Sequence, residues 1–559
     1  MLRVWNVVLV IMTFFLTIFG TFMTRSGVVQ SVHAFGEDVE LARLFIGFMV
    51  IILTFSFGLV IYRLPLLRAR NELDSWISRE AAFLVNNWIL LFSAFFILFA
   101  TMFPTLSEAV TGNRIAVAQP FFNKWMLPIG FILLFLTGVG PLLAWRKSAI
   151  SNLRDSFLFP VLAGITTAAV LAAFGFRVWV SGLCFALCAF VAGTVAQEFW
   201  RGANVRRRAT GTDVFTALVG LVGRNKRRYG GYIVHIGIVL IFLGFAGNGY
   251  KRDQQMLLKP GEKGTIGAYT VRNDGIKLTD DGQKQMLTGY VAVFKDGKQL
   301  DTMYPGKSSF HKHESEPPRT DVAIRRTPAE DFYVIMPAVD LGTQTMSLEI
   351  HVNPLVDWIW MGFGIMAFGT GIALLPESTF AFALAKMPAE AATTTLTILL
   401  SFGLVLGGGT KASAQMTGDA ATQTSHYART PAEAKLQHEI VCTCGCGHIT
   451  IAECRKDPCV TSHELRGEVA ALIDQGKSHD EVIQAVVANH SEEVLGAPID
   501  KGFNRLAWLF PYLAGVTGAI VIGLSAMKWT RRTEPAAAAG APIDAEMAER
   551  LDDELRNLD

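Results

Sequence analysis

Thr24-Arg25-Ser26-Gly27-Val28-Val29-Gln30-Ser31-Val32-His33-Ala34-Phe35 follows directly on an apolar run from Val4 to Met23. That run has the length of one membrane-spanning helix, roughly 20 residues at about 1.5 Å each. It delivers a cation and an imidazole together to one membrane surface, the one opposite Arg3. A neutral imidazole such as His33 is a natural iron ligand, and a guanidinium such as Arg25 pairs with carboxylates.

The rest of the chain supports a membrane reading. Of its 559 residues 51% are hydrophobic, and the formal net charge is only +2. A balance this close to neutral leaves no electrostatic footprint for nucleic acid. The basic residues gather between the apolar runs. Eight lie between Arg201 and Arg228, four at Arg63, Arg68, Arg70 and Arg79, and three at Arg146, Lys147 and Arg154. The intervening segments Thr24–Leu41 and Pro104–Asn123 are poor in cations. By the positive-inside rule the rich segments are cytoplasmic and the poor ones face out, so His33 faces out. Apolar runs lie near 4–23, 43–62, 82–103, 125–145, 155–173, 178–198, 229–248, 355–376, 392–408 and 507–527. Ten spans place both termini inside with every charge cluster on its correct side. Trp88, Trp125, Trp145, Trp358 and Trp360 fit an interfacial belt. The fold class is therefore predominantly α: a polytopic integral membrane protein of about ten spans, with two outer domains.

The first outer domain covers 249–353. Gly289-Tyr290-Val291-Ala292-Val293-Phe294 alternates and leads into Lys295-Asp296-Gly297-Lys298, a hairpin signal because such a turn needs positive φ values. Met346–Ile350 reads as another strand, so this domain is small and β-rich. His311 and His313 share one side of that chain if it is extended; metal, haem or simple solvation are all open to them. An eighth span follows at 354–376. Residues 377–414 form a junction, in which Lys386, the apolar run 396–406 and Ala412-Ser413-Ala414 make a signal-like pattern. It either stays as a ninth span or is cut after Ala414. The second outer domain, 415–505, reads helical through Ser462–His490, with Leu465, Val469, Leu472, Ile473, Val482, Ile483 and Val486 on one buried face. A last span at 506–528 and a cytoplasmic tail at 529–559 close the chain.

Tyr229-Gly230-Gly231-Tyr232-Ile233-Val234-His235-Ile236-Gly237 opens the seventh span, which puts His235 on the order of 9 Å into the helix. An ionisable group there faces a protein interior or a cofactor. Gly230, Gly231 and Gly237 leave room for a neighbouring helix or a flat macrocycle. This string and Thr24–Phe35 resemble the CcmF family of cytochrome c haem lyases. Arg114, Pro120-Phe121-Phe122 and Pro354-Leu355-Val356-Asp357-Trp358-Ile359-Trp360 look familiar from the same family. The resemblance covers residues 1 to about 376 and corresponds to the later part of a full lyase, with 1–248 as a seven-span haem-lyase-like region. It implies that His235 ligates a transmembrane b haem and that His33, with Arg25 near a propionate, holds haem in transit to apocytochrome c. The family uses two histidines of each kind around a tryptophan-rich platform. Neither that platform nor a histidine before His33 occurs here. A separate tryptophan-rich subunit, or coding sequence upstream of Met1, is then expected to complete the set.

Five of the seven cysteines crowd into Cys442-Thr443-Cys444-Gly445-Cys446-Gly447-His448, Cys454 and Cys459. Four thiolates, or three with His448, suit zinc or an iron–sulfur centre. On the outer side, however, disulfide chemistry is the commoner use of thiols, and a helix that follows can lower a thiol pKa. Cys184 and Cys188, inside a span, read as small packing residues. Glu439–Gly447 with the helices and span that follow resembles CcmH-type proteins, whose usual pair is separated by two residues. Here the spacing differs, and Cys442, Cys444 and Cys446 are the candidates for thiol redox, the pair being open.

The two resemblances converge on cytochrome c maturation at a bacterial inner membrane, with haem and thiol sites facing the periplasm. They imply part of a thioether-forming haem lyase joined to a domain that keeps apocytochrome Cys-x-x-Cys-His thiols reduced. Apocytochrome c, a haem chaperone, the tryptophan-rich subunit and membrane lipid are the implied partners. A haem exporter and a thiol–disulfide oxidoreductase without haem are the other classes. The chain has no nucleotide-binding Gly-Lys motif and no obvious inverted repeat.

Overall fold

The computed structural model describes residues 3–375, 417–419, 428 and 430–530, apart from 27–38, 68–74, 76, 114, 145–149, 177, 312–317, 445–448 and 455–458. Among the described residues eight helices are long and apolar enough to cross a membrane. They are α1 (Arg3–Arg25), α2 (Val39–Tyr62), α4 (Arg79–Thr111), α5 (Gln119–Val139), α6 (Ile150–Ala173), α7 (Trp179–Thr210), α9 (Lys226–Gly247) and α10 (Val356–Leu374). A single turn, α3 (Leu64–Leu67), and an amphipathic helix, α8 (Val214–Arg224), complete this part. The expected run at 392–408 lies outside the described residues, as do His33, His313, Trp145, Cys446 and His448.

Two helices outgrow the runs that predicted them. α4 has 33 residues, about 50 Å of helix against a hydrocarbon core of about 30 Å. It therefore projects past the membrane until Gly112, at φ 72°, stops it. α7 has 32 residues and absorbs Arg206-Arg207-Arg208, so the basic segment after the sixth run is mostly helix rather than loop. Arg207 and Arg208 sit in its last turn, where the helix dipole favours cations.

α9 and α10 lie against each other through glycine. Gly230, Gly237 and Gly244 recur every seven residues on one face of α9, opposite Gly362 and Gly369 of α10. A Cβ built on Gly362 would stand 2.6 Å from the Gly237 carbonyl oxygen, and one on Gly369 2.8 Å from that of Gly230. Backbones this close gain dispersion contacts that larger residues forbid.

Between α9 and α10 the chain makes a sandwich. One sheet runs β1 (Arg252–Leu258), β10 (Thr345–Pro354), β9 (Glu330–Asp340), β8 (Ala323–Arg325). The other is built on β3 (Tyr269–Asp280) and β4 (Lys284–Lys295), flanked by β2 (Lys263–Ile266), β5 (Lys298–Met303), β6 (Gly306–Phe310) and β7 (Arg319–Asp321). The hairpin between β4 and β5 is the one expected, with Asp296 at φ 52° and Gly297 at φ 78°. Met346, Leu348, Ile350 and Val352 alternate into the core and are fully buried. The Trp358 indole N–H donates to the Pro328 carbonyl at 2.7 Å, which fixes the sandwich to the start of α10.

The segment after 430 is helical: α11 (Pro431–Glu439), α12 (Val460–Asp474), α13 (His479–His490) and α14 (Arg505–Thr530). The last, of 26 residues, covers the expected tenth run. The stretch expected to be continuously helical is two helices, because Gly476 turns the chain at φ 78° and Ser478 with Glu481 caps α13 by a capping box. Leu465, Val469, Val482 and Val486 form the core as their spacing predicted.

This unit is seated on the membrane region. Ala118 N–H donates to the Gly496 carbonyl at 2.9 Å, and Val441 packs on Ala116 and Ala118. Beneath it Ser107 donates to Asn504 Oδ1 at 3.1 Å, and Phe99 stacks on Phe510 with centroids 3.8 Å apart. Trp125 meets Tyr512 edge-on, and Gly518 sits against Trp88. Trp88 and Trp125 thus serve helix packing here, while Trp360, 65% exposed, keeps the belt reading.

Candidate functional site

His235 lies on the α9 face next to the glycine seam. Gly230 and Gly237 are filled by α10, so the helix reading holds for those two. Gly231 has nothing within 4 Å and, one turn before His235, shares a cavity of about 290 Å³ with it. α4, α5 and α9 line this space through Arg79, Asn86, Thr137, Arg228 and Tyr232 among others. His235 Nδ1 is buried there without a hydrogen-bond partner. A polar atom left so in a low-dielectric interior is costly, which makes His235 a candidate for holding a group in this cavity. Two guanidinium groups stand at the same space. Arg79 donates to the Pro141 carbonyl at 2.9 Å, and Arg228 to Glu198 at 2.8 Å and the Tyr232 hydroxyl at 3.0 Å. An imidazole, two cations and an open glycine face fit one side of a haem with its propionates. Arg79 and Arg228 were counted only as topology signals in the sequence; Asn86, a polar residue in an apolar run, is the signal that could have pointed to this cavity. Arg25 ends α1 with an exposed side chain, and the structure does not bring it to His235.

The second cluster is of sulfur. The bridge between Val441 and Thr450 folds the chain back on itself, the turn Thr450–Cys454 follows, and Cys459 caps the start of α12. The Sγ atoms of Cys442, Cys444, Cys454 and Cys459 then all lie within 4.8 Å of one another. Cys442 and Cys459 are 3.4 Å apart. For thiol redox, sequence spacing pointed to Cys442, Cys444 and Cys446; of the crowd of five, the fold gathers Cys442 and Cys444 with Cys454 and Cys459, and Cys446 lies outside the described residues. The neighbouring Cys454 thiol, together with burial, pushes the Cys442 thiol well above the ordinary range, and burial pushes Cys459 up to about 11. The expected lowering of a thiol pKa is thus reversed for Cys442 and for Cys459: low polarity and crowded sulfurs prevail, and at Cys459 they outweigh the start of α12. Cys184 and Cys188 face α9, donating weakly to the Phe242 and Val239 carbonyls at 3.4 and 3.6 Å, as packing residues do.

Sequence reading passed over His351, which is buried in β10 between Asp253, at 2.5 Å from Nδ1, and Glu349, at 2.9 Å from Nε2. Burial opposes its charge, but the two carboxylates prevail, and its pKa lies above the ordinary value. A raised folded pKa stabilises the fold fully below the unfolded value and loses that contribution as pH rises through the folded one. The sandwich is therefore expected to melt at lower temperature as pH climbs above the ordinary imidazole value and through the raised folded one. His351→Gln should flatten that dependence in a thermal-melting series. His311, exposed at the end of β6, pairs with Asp280 at 3.0 Å, a surface contact.

Residues 249–354 match the family described as the CcmF C-terminal beta-sandwich, and 388–555 match CcmH, a cytochrome c biogenesis protein. The chain is 30% identical over 377 residues to the cytochrome c-type biogenesis protein CcmF of Pseudomonas aeruginosa, covering 66% of this chain and 55% of that one. It is 28% identical over 387 residues to CycK of Rhizobium meliloti, covering 67% and 54%. A solved structure titled cytochrome c heme lyase CcmF superposes with a TM-score of 0.51 at 24% identity, over 67% of this chain and 55% of the other. The chain thus spans about half the length of the curated relatives it matches. On one polypeptide, it joins the C-terminal part of a CcmF-type protein to a CcmH-type domain of cytochrome c biogenesis.

Proposed function

We propose that this chain is part of a membrane haem lyase of cytochrome c maturation, with a fused domain that keeps apocytochrome thiols reduced. The observation that carries it is the partnerless His235 nitrogen beside a cavity bearing two guanidinium groups. His235 would hold a resident b haem, Arg79 and Arg228 would neutralise its propionates, and Tyr232 with Glu198 would fix Arg228. A b haem there supplies a one-electron redox centre that can keep the substrate iron ferrous. His33 would take the iron of the haem in transit, with Arg25 near a propionate. The positive-inside pattern supports an inner membrane with His33, the sandwich and the thiol domain in the periplasm.

In the reaction each substrate Cys S–H adds across a haem vinyl group: an S–C bond forms, the C=C π bond breaks, and the proton ends on the other vinyl carbon. No oxidant is consumed, but both thiols must be free. A thiol of Cys442–Cys446 would open a substrate disulfide by exchange, a second would resolve the adduct, and a thiol reductant would restore the pair. Apocytochrome c and a haem chaperone are the substrate-side partners. A tryptophan-rich platform with one outer and one transmembrane histidine would close the haem cavity, supplied by a second membrane subunit or by further sequence of the same polypeptide. The α1–α2 hairpin supports this, since its principal contacts are within itself and α3.

Purification from membranes is expected to bring down such a tryptophan-rich subunit, and covalent haem attachment to a Cys-x-x-Cys-His peptide in liposomes to need both. Attachment by this chain alone would show that no second subunit is required. Absence of attachment with every partner present would overturn the lyase reading.

A further inference from the structure

We infer that Cys442, Cys444, Cys454 and Cys459 form a tetrathiolate site for one zinc ion, a use of these sulfurs beyond thiol exchange. Tetrahedral zinc at about 2.3 Å from each sulfur sets neighbouring sulfurs about 3.8 Å apart, whereas a disulfide needs about 2.0 Å. Four sulfurs mutually within 4.8 Å, with Cys442 and Cys459 at 3.4 Å, match the edges of such a tetrahedron. Two pairs supply them, Cys442-x-Cys444 from one turn and Cys454-x4-Cys459 from the next turn and the start of α12.

The surroundings suit a thiolate set. The Cys444 N–H donates to the Cys442 sulfur and the Ser462 N–H to the Cys459 sulfur, the hydrogen bonds that support a metal-bound thiolate. Leu436, Ile440, Ile451 and Leu465 shield the cluster, and all four are at most 2% exposed. Four thiolates around Zn²⁺ leave two negative charges, and a buried charge needs a partner. Arg466, only 4% exposed, is placed for that: its Nη2 donates to the Cys454 carbonyl at 3.1 Å and its Nε to the Ile451 carbonyl at 2.8 Å. Binding releases the four thiol protons and changes no oxidation state. The fifth cysteine of the segment, Cys446, lies outside the described residues; with four thiolates on zinc, it is the thiol of the segment left for exchange chemistry.

The test uses the full chain, purified in detergent without chelators. Elemental analysis is expected to find about one zinc per chain, retained in Cys446→Ser and lost in Cys454→Ser and Cys459→Ser. Because those two variants can misfold, a second measurement uses the unaltered chain. After zinc is stripped and replaced by Co²⁺, it should show thiolate-to-cobalt charge transfer and tetrahedral d–d bands. No zinc, iron in its place, or two disulfides among these four cysteines in peptide mapping overturns the proposal. Trapping with a Cys-x-x-Cys-His peptide separates this from the redox reading. Zinc without any adduct sinks thiol exchange and keeps the metal site; an adduct on Cys442 or Cys459 with no zinc does the reverse.

Discussion

Replacing His235 by alanine is expected to abolish the low-spin Soret band of the purified assembly while leaving its insertion in the membrane unchanged. His235 is the one histidine of the chain within an apolar run. Its loss removes the imidazole from the cavity that Arg79 and Arg228 also line. Insertion should not suffer, because trading an ionisable group for alanine makes the span more apolar. A second substitution guards the interpretation. Gly231→Leu adds bulk where nothing lies within 4 Å, so it should fill the cavity without moving α10 and should also weaken the band. An unaltered spectrum in both variants would remove haem from this site.

Gly362→Leu should be far more damaging to the fold than its distance from any charged group suggests. The new side chain would start 2.6 Å from the Gly237 carbonyl and 2.7 Å from Ile241 Cγ1, against backbone that cannot yield. Overpacking of this kind typically costs about 1–3 kcal/mol, and close approach to backbone puts this site at the upper end. α9 also carries His235, so separation of the two helices should weaken the haem signal as well as the fold. Gly364→Leu, on the same helix with open space around it, is the matched control and should be close to neutral. Equal thermal-inactivation rates for the two variants would show that the seam bears no weight.

Much of this was legible before any coordinates. Apolar length predicted the spans because the bilayer demands it, and Asp296-Gly297 predicted its hairpin because few dipeptides accept two positive φ values. The thiol cluster was legible only in part. Cys442 and Cys444 stood out by proximity, but that Cys454 and Cys459 return to them depends on the Val441–Thr450 bridge, a contact that no local pattern announces. His351 was hidden for a related reason: its partner Asp253 is almost a hundred positions away and meets it only by the β1–β10 register. The His235 cavity draws Arg79 and Asn86 from α4 and Thr137 from α5, and periodicity within one helix says nothing of which helices adjoin.

Under the proposed function, the projecting end of α4 bears on substrate choice. With the sulfur-bearing unit clamped to it through Asn504 and Phe503, and to the start of α5 through Gly496, the place of the sulfur cluster over the membrane region is set by these contacts and not by a swinging linker. An unfolded polypeptide covers at most about 3.3–3.6 Å per residue. Such a clamp acts on an incoming chain as a ruler. In the proposed reaction, substrates with too few residues between the motif and their first folded element would not reach both the sulfur cluster and the proposed haem site, so maturation would favour cytochromes whose motif lies in a long, still-unfolded segment.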